Sequence, residues 1–551
     1  MRSSSTNTVT PDAPSALRQI IESSVLLALA VILFRTFAAE GYLISTGSMA
    51  PCLLGYHKRV VCPCCHCLFA RGAAFDADQS KTFAHASGDG FLGWANEPVR
   101  ETTTCPNCGQ TGIDTADLPR NEGDQLLVHK FAYEFRDPRR WEVIVFQSNS
   151  EPHQPYCKRV VGLPDEEIRV HDGDIFADGI LQRKPHEVQQ SIRIPVWNND
   201  FQPEEASIPL RWLPLQEESG WKREGNNFVF VPTAEMAAGT LVYEHWIQAG
   251  GRHWTSVPLA SWPQEIDVPD EPNAVLRYSQ ESGRLFASGV LSPLELQQWQ
   301  SLSDNPEWHV ALDELARRSH FGPIADDYGY NAEGTRESNV VHDLQVELLL
   351  TPNGRHGRFE ILVSDGGDEF TLVLNFADRQ LELLANGDPV PLRTAPFTPL
   401  MREPQFTVSL STFDRQVIAA VGGEPVFEPL LYGERESARR PLSRPARLIA
   451  AGGEFRVEHL SLYRDVYYTA KGQESGVDPG YTLADNEFYV LGDNSPVSVD
   501  SRVWEHPAIT RDALIGKPLI VHLPSRQGEI QFAGQTRYVR IPDFSRVRYI
   551  R

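Results

Sequence analysis

A mainly β protein is predicted: a helix near the start, a β-rich core, a small cysteine-bearing insert and a large antiparallel β-sandwich insert. Three observations carry this reading. Residues 344–457 repeatedly alternate apolar and polar positions, as in Leu344-x-Val346-x-Leu348-x-Leu350 and Phe370-x-Leu372-x-Leu374-x-Phe376, the period of strands with one buried face. Short strands punctuated by turns recur between residues 123 and 181. One strongly apolar segment, around 20–39, stands alone near the start. A chain of 551 residues exceeds a single core and predicts two to four domains. Its 51 Lys and Arg against 73 Asp and Glu give a charge of -22, which excludes nucleic acid as a partner, since phosphate binding needs a basic face.

Residues 1–17 are polar, with Ser, Thr, Asn and Pro, and read as a disordered tail. Residues 18–40 are expected to be a transmembrane anchor. The uncharged part between Glu22 and Arg35 is short for a span of roughly 17–25 residues, but Arg35 lies near the end, where it can snorkel. A cleaved signal peptide, with Ala38-Ala39 as the small residues, and a buried helix are the alternatives. Next comes Ile44-Ser45-Thr46-Gly47-Ser48-Met49-Ala50-Pro51. Gly-Ser pairs are ordinarily turns, so Ser48 gains meaning only from later segments.

Two cysteine knuckles follow, Cys62-Pro63-Cys64-Cys65 and Cys105-Pro106-Asn107-Cys108. Each aims two sulfurs at one centre, and together they predict a zinc-ribbon-like insert holding a structural zinc on Cys62, Cys65, Cys105 and Cys108, with no open position for chemistry. Cys64 with Cys67, or His66, are alternative ligands, and a disulfide cluster is the alternative chemistry. A turn followed by a strand is expected within Gly123–Phe131, a second within Pro138–Phe146 and a third within Tyr156–Pro164, with a hairpin around Asp178-Gly179. The long alternating region resembles concanavalin- and laminin-G-like jelly rolls in pattern. Within it, Asp326-Asp327-Tyr328 and Asn331 read as a solvated loop, with calcium as the alternative. From Glu487 a strand runs into the polar loop Gly492-Asp493-Asn494-Ser495-Pro496-Val497-Ser498-Val499-Asp500-Ser501-Arg502, and Ile515-Gly516-Lys517-Pro518-Leu519-Ile520-Val521 is expected as another strand.

Four segments, in this order, resemble the type I signal peptidases: Thr46-Gly47-Ser48-Met49-Ala50-Pro51; Gly123-Asp124 with Leu127-Val128-His129-Lys130-Phe131; Tyr156-Cys157-Lys158-Arg159-Val160-Val161-Gly162-Leu163-Pro164; and Gly492-Asp493-Asn494 with Ser498, Asp500, Ser501 and Arg502. The resemblance covers roughly 18–57, 120–182 and 475–525 and leaves both inserts outside it. It implies Ser48 as nucleophile, Lys158 as general base and Ser498 as the residue orienting that base. It implies Thr46 and the Ser48 N–H as oxyanion donors, and Asp493, Asp500 and Arg502 as supports of the last loop. Lys130 matches the family pattern and reads as structural. Cys52, Cys157 and Glu505 depart from it, and none removes a catalytic group. The chemistry is consistent: a serine hydroxyl needs an adjacent base, and a lysine serves once desolvation favours its neutral amine.

The domain reading is then a tail (1–17), an anchor (18–40), a signal-peptidase-type catalytic core in three parts (41–57, 116–182 and 469–551), the cysteine-rich insert (58–115) and the β-sandwich insert (183–468). The resemblance implies a membrane-bound serine endopeptidase that removes signal peptides after small residues at −3 and −1, with no cofactor for catalysis. Its implied partners are secretory preproteins, membrane lipid and the translocation machinery. Its expected place is the cytoplasmic membrane, single-pass, with the N-terminus inside and the catalytic domain on the outer face. A membrane-anchored glycan- or envelope-binding protein, with the peptidase core as scaffold, is the alternative.

Overall fold

The segments quoted above converge on one antiparallel sheet of eight strands. The computed structural model describes residues 16–37, 39–73, 101–147, 155–204, 208–216, 218–233, 237–248, 250, 254–266, 275–331, 339–354, 356–396, 405–433, 438–469, 475–522, 524–532 and 535–550. The sheet runs in the order Ala39–Leu43, Gln125–His129, Leu514–Val521, Val143–Gln147, Pro155–Gly162, Glu487–Leu491 and Ala508–Thr510, with Arg548–Tyr549 paired to Leu514–Val521. Strands from early, middle and late sequence thus lie side by side. Ile44, Met49, Leu53, Leu126, Val128, Val143, Val145 and Val521 bury one core beneath it. A second sheet places Glu167–His171 beside Asp174–Ala177 and Tyr481–Thr482. Its hairpin turns through Asp178 and Gly179 at φ +51° and +76°, the left-handed pair a two-residue turn requires.

The large insert is built on a nine-stranded and a seven-stranded antiparallel sheet, whose inward residues (Leu348, Leu350, Val408 and Val457 from one; Phe359, Ile361, Leu372 and Leu448 from the other) share a single core. Strands do not fill the whole region. Helices Pro293–Gln300 and Pro306–Ser319 pack on a three-stranded sheet of Trp254–Pro258, Leu276–Ser279 and Arg284–Ser288, around Trp308, Leu312 and Leu315. Ser292 and Glu295 form a capping box at the first of these helices, a helix signal the alternating pattern around it obscured.

The expected membrane anchor is overturned. Among the described residues no helix is long and apolar enough to cross a membrane, which removes the basis for a single-pass topology with an outward-facing catalytic domain. A helix does form at Ala16–Phe37, but Arg18, paired with Glu22 at 2.7 Å, and Arg35 bracket an uncharged run of 12 residues, Ser23 to Phe34. At ~1.5 Å per residue that run spans about 18 Å against a hydrocarbon core of about 30 Å. Most of the predicted disordered tail lies outside the described residues.

Asp326 to Asn331 is a loop, as expected, but Asp327 excepted it is not a solvated one. Asp326, Tyr328 and Tyr330 are buried, and Asp326 accepts from the Asn339 backbone and side chain at 2.7 and 2.9 Å. The segment is a packed element.

Candidate active site

Each part of the site leaves the end or face of a core strand. Ser48 follows Ala39–Leu43 in a tight turn, Lys158 sits within Pro155–Gly162 opposite Ile144, and Ser498 follows Glu487–Leu491. Glycines allow these segments to touch. A β-carbon on Gly492 would stand 2.3 Å from Ser498 Oγ and 2.4 Å from the Ser48 carbonyl oxygen, so Ser48 and Ser498 are neighbours across that glycine. A β-carbon on Gly123 would meet the Ile44 carbonyl at 1.8 Å.

Lys158 is 2% exposed, and its Nζ donates to Ser498 Oγ at 3.0 Å. Burial lowers its amine from 10.5 to about 8, with Asp500 and Cys157 opposing and Arg502 adding to the fall. A lysine near 8 holds a usable fraction of neutral amine at neutral pH, and Ser498 sets its direction. Ser48 is half-buried, and its Oγ lies 3.5 Å from Thr46 Oγ1. Asn494 clamps this turn: its N–H donates to the Ser48 carbonyl at 3.0 Å and its Nδ2 to the Gly47 carbonyl at 3.0 Å. The two pairs, Thr46 with Ser48 and Lys158 with Ser498, are therefore brought to either side of Gly492. The hydrogen bonds among the described residues do not include a direct one from Ser48 Oγ to Lys158 Nζ.

The three loop residues are fully engaged. Asp500 accepts from the Gly492 N–H at 3.0 Å and pairs with Arg502 at 2.8 Å. Burial alone would raise its carboxyl, but Arg502 holds it below the usual range. Arg502 also reaches Thr469 O at 2.8 Å and Ser495 Oγ at 2.8 Å. Asp493 receives both arms of Arg159, at 2.8 and 2.7 Å, and that pair is at most 1% exposed. The partner is thus a residue to which sequence reasoning assigned no role, although it adjoins Lys158. Lys130 pairs with Glu40 at 3.1 Å on a partly exposed edge. Cys52 and Cys157 are free thiols; Cys52 Sγ donates to Ser191 O at 3.4 Å, and burial pushes Cys157 up to about 12.

The two cysteine knuckles share one backbone plan. Within each, the fifth residue donates to the first carbonyl (His66 to Cys62, Gly109 to Cys105, both 3.0 Å), and that residue is left-handed, at φ +58° and +79°. Cys62, Cys65, Cys105 and Cys108 are buried, with sulfurs all within 4.8 Å of one another. Cys62 to Cys108 is 3.6 Å and Cys65 to Cys105 is 3.7 Å, well beyond a disulfide of about 2.05 Å. His66 points instead to Glu204 at 3.0 Å, and Cys64 and Cys67 stay outside the cluster.

Residues 116–214 match the family described as "Signal peptidase, peptidase S26". Signal peptidase I of Bacillus caldolyticus is 33% identical over 133 residues, which is 22% of this chain and 70% of that protein. The chain belongs to the signal peptidase I family, a family of hydrolases. Two more members are similar over shorter stretches. A probable signal peptidase I-2 of Synechocystis is 36% identical over 61 residues, 10% of this chain and 28% of its own length. A signal peptidase I of Leptolyngbya laminosa is 39% identical over 70 residues, 11% of this chain and 34% of its own length. The chain thus spans about a third of the length of these two curated relatives. Among solved structures, carbohydrate binding module CBM66 from Bacillus subtilis overlaps 22% of this chain and 74% of its own at 10% identity, with a TM-score of 0.18, too low to carry an argument about the insert.

Proposed function

We propose that this family member is a serine endopeptidase that removes signal peptides from secretory preproteins after small residues at −3 and −1. The reading assigns catalysis to segments 41–57, 116–182 and 469–551, with 58–115 and 183–468 as inserts. The observation that carries it is the buried Lys158 amine, brought to about 8 and hydrogen-bonded to Ser498, one glycine away from the Ser48 turn.

In this reading neutral Lys158 Nζ takes the Ser48 Oγ proton as Oγ bonds to the scissile carbonyl carbon. The oxyanion receives hydrogen bonds from Thr46 Oγ1 and the Ser48 N–H, each worth roughly 2.7–4 kcal/mol. The Lys158 ammonium then protonates the departing amine as the C–N bond breaks, leaving an acyl ester on Ser48. Lys158 next takes a proton from the water that attacks the ester carbonyl and returns it to Ser48 Oγ as the acyl C–O bond breaks, restoring both groups. Asp493 with Arg159, and Asp500 with Arg502, hold the loop that carries Ser498.

The reading includes one structural zinc on Cys62, Cys65, Cys105 and Cys108. Four thiolates at ~2.3 Å from a tetrahedral zinc stand ~3.8 Å apart, close to the observed 3.6 and 3.7 Å. Buried Arg211, donating to Cys108 O at 3.0 Å, supplies positive charge beside the net negative centre.

The test is cleavage of a purified preprotein by the full chain, Ser48→Ala and Lys158→Ala. The parent is expected to cut at the signal junction and both variants to be inactive. A folded parent that leaves several preproteins intact would refute the reading and favour the binding-protein alternative.

A further inference from the structure

The segment Tyr328 to Asn331 belongs to the large insert by sequence, yet every one of its residues touches something outside that insert. Tyr328 Oη donates to the Asp493 carbonyl at 2.9 Å. Gly329 O accepts from Thr103 Oγ1 at 3.2 Å, and a β-carbon on Gly329 would stand 2.8 Å from the Pro106 ring. Tyr330 Oη donates to Tyr56 O at 3.0 Å, and Tyr330 O accepts from the Gly72 N–H at 2.8 Å. The Tyr330 ring also lies against the nucleophile turn, where a β-carbon on Gly47 would meet its Cε1 at 2.1 Å. Asn331 Nδ2 donates to Asn494 Oδ1 at 2.9 Å, and Asn494 Nδ2 donates back to Asn331 Oδ1 at 2.8 Å.

That reciprocal amide pair has a consequence for Ser48. Asn494 is fully buried, and its NH₂ has two protons. One goes to Gly47 O and the other to Asn331 Oδ1, while its own carbonyl is taken by Asn331. Turning the Asn494 amide over would set oxygen against oxygen at both Gly47 and Asn331, and nitrogen against nitrogen at Asn331. The Gly47 carbonyl, which can only accept, fixes which way Asn494 faces; the two bonds to Asn331 hold the Asn494 amide in that place, and Asn494 holds the two carbonyls that flank the Ser48 amide.

We infer that Asn331, with Tyr330 packed beneath Gly47, is a positioning residue of the insert that sets the Ser48 turn for attack. The inference rests on the Ser48/Lys158 reading. It gives the large insert a part in catalysis that is separate from any ligand of its own. Misplacing a reacting group by about 1 Å costs on the order of 10²-fold, so loss of the amide pair belongs in the range of about 10- to 100-fold in kcat.

The experiment compares the full chain with Asn331→Ala, Asn331→Gln and Asn353→Ala, the last removing an amide elsewhere in the insert that bonds only Glu454 among the described contacts. Cleavage kinetics across pH are paired with amide hydrogen exchange over residues 44–54. Asn331→Ala is expected to lower kcat ~10- to 100-fold, with KM within about twofold and the pH midpoint unmoved, because Lys158 and Ser498 are untouched. Asn331→Gln recovers part of that loss, and Asn353→Ala behaves as the parent. Exchange over 44–54 quickens in Asn331→Ala while the insert's strands keep their protection. Parental kcat in Asn331→Ala, or unchanged exchange over 44–54, overturns the inference. If the parent shows no Ser48-dependent cleavage, the peptidase reading falls by itself and the exchange result alone decides whether Asn331 holds the turn.

Discussion

Replacing Lys158, the general base of the proposed mechanism, with a shape-matched apolar residue should abolish cleavage and stabilise the fold. Lys158 is 2% exposed, and burial lowers its amine from 10.5 to about 8. The unfolded chain keeps the ordinary value, so between about 8 and 10.5 it holds a proton that the folded chain has released. Stability of the parent therefore rises with pH through that window, and below about 8 the burial cost is felt in full. The gap is worth about 3 kcal/mol. Lys158→Met removes this cost and also the bond to Ser498 Oγ, worth about 1 kcal/mol, leaving the variant about 2 kcal/mol more stable at pH 7. The advantage should shrink as pH climbs through 8 and vanish towards 10.5. The assay is urea-dependent amide exchange of strand Pro155–Gly162 in both proteins at pH 6, 7, 9 and 10.5. The same shift predicts that cleavage by the parent rises through a midpoint near 8, with roughly a tenth of the amine neutral at pH 7. A Lys158→Met protein no more stable than the parent at pH 7, or a difference that does not fall with pH, would refute the claim that desolvation tunes this lysine.

Two further outcomes follow from buried charge and from the cysteine cluster. Asp493→Ala removes the carboxylate that balances the Arg159 charge in a site at most 1% exposed, and should cost about 3–5 kcal/mol by denaturant titration; a loss under about 1 kcal/mol would mean that water reaches the guanidinium. Elemental analysis should find one zinc per chain, lost in Cys105→Ser, with a lowered thermal midpoint in the variant and after chelation; a metal-free parent with full stability would sink the zinc assignment.

What could be read in advance divides by the range of the forces involved. The approach of the Ser48, Lys158 and Ser498 segments to one another was legible because each lies in a short contiguous stretch in or beside a core strand. The sandwich was legible because period-two alternation is local. Arg159 was passed over as one more residue of the Lys158 strand, and only the fold shows that its guanidinium turns inward to Asp493. The helices at 293–319 were missed although Trp308, Ala311, Leu312 and Leu315 recur at helical spacing and are buried. The anchor reading allowed Arg35 to snorkel past the short uncharged run that Glu22 and Arg35 bound, and that allowance did not make up the missing length. Tyr328 to Asn331 misled for a different reason. Asp, Gly and Asn compose a solvated loop anywhere else, and here their burial comes from packing against segments near residues 47, 72, 103 and 494, which no local pattern encodes.

The placement of the insert explains how a core can host so large an addition without losing register. The core strands Glu167–His171 and Tyr481–Thr482 pair directly, Glu167 opposite Thr482, across more than 300 residues. The insert's entry and exit are tied together immediately beyond them: Lys184 reaches Asp465 at 2.7 Å and also bonds Asp414, all three side chains at most 4% exposed, and the Tyr468 N–H donates to Gly173 O at 3.2 Å. Loop-closure cost grows only as the logarithm of length, so a long connection between clamped ends adds little to the entropy of closing them. A segment free of that constraint can acquire contacts with the site at little cost to folding. Tyr328 to Asn331 occupies that position: distant from the clamp in sequence, seated on the Ser48 turn in space, and able to make the Ser48 geometry depend on the insert.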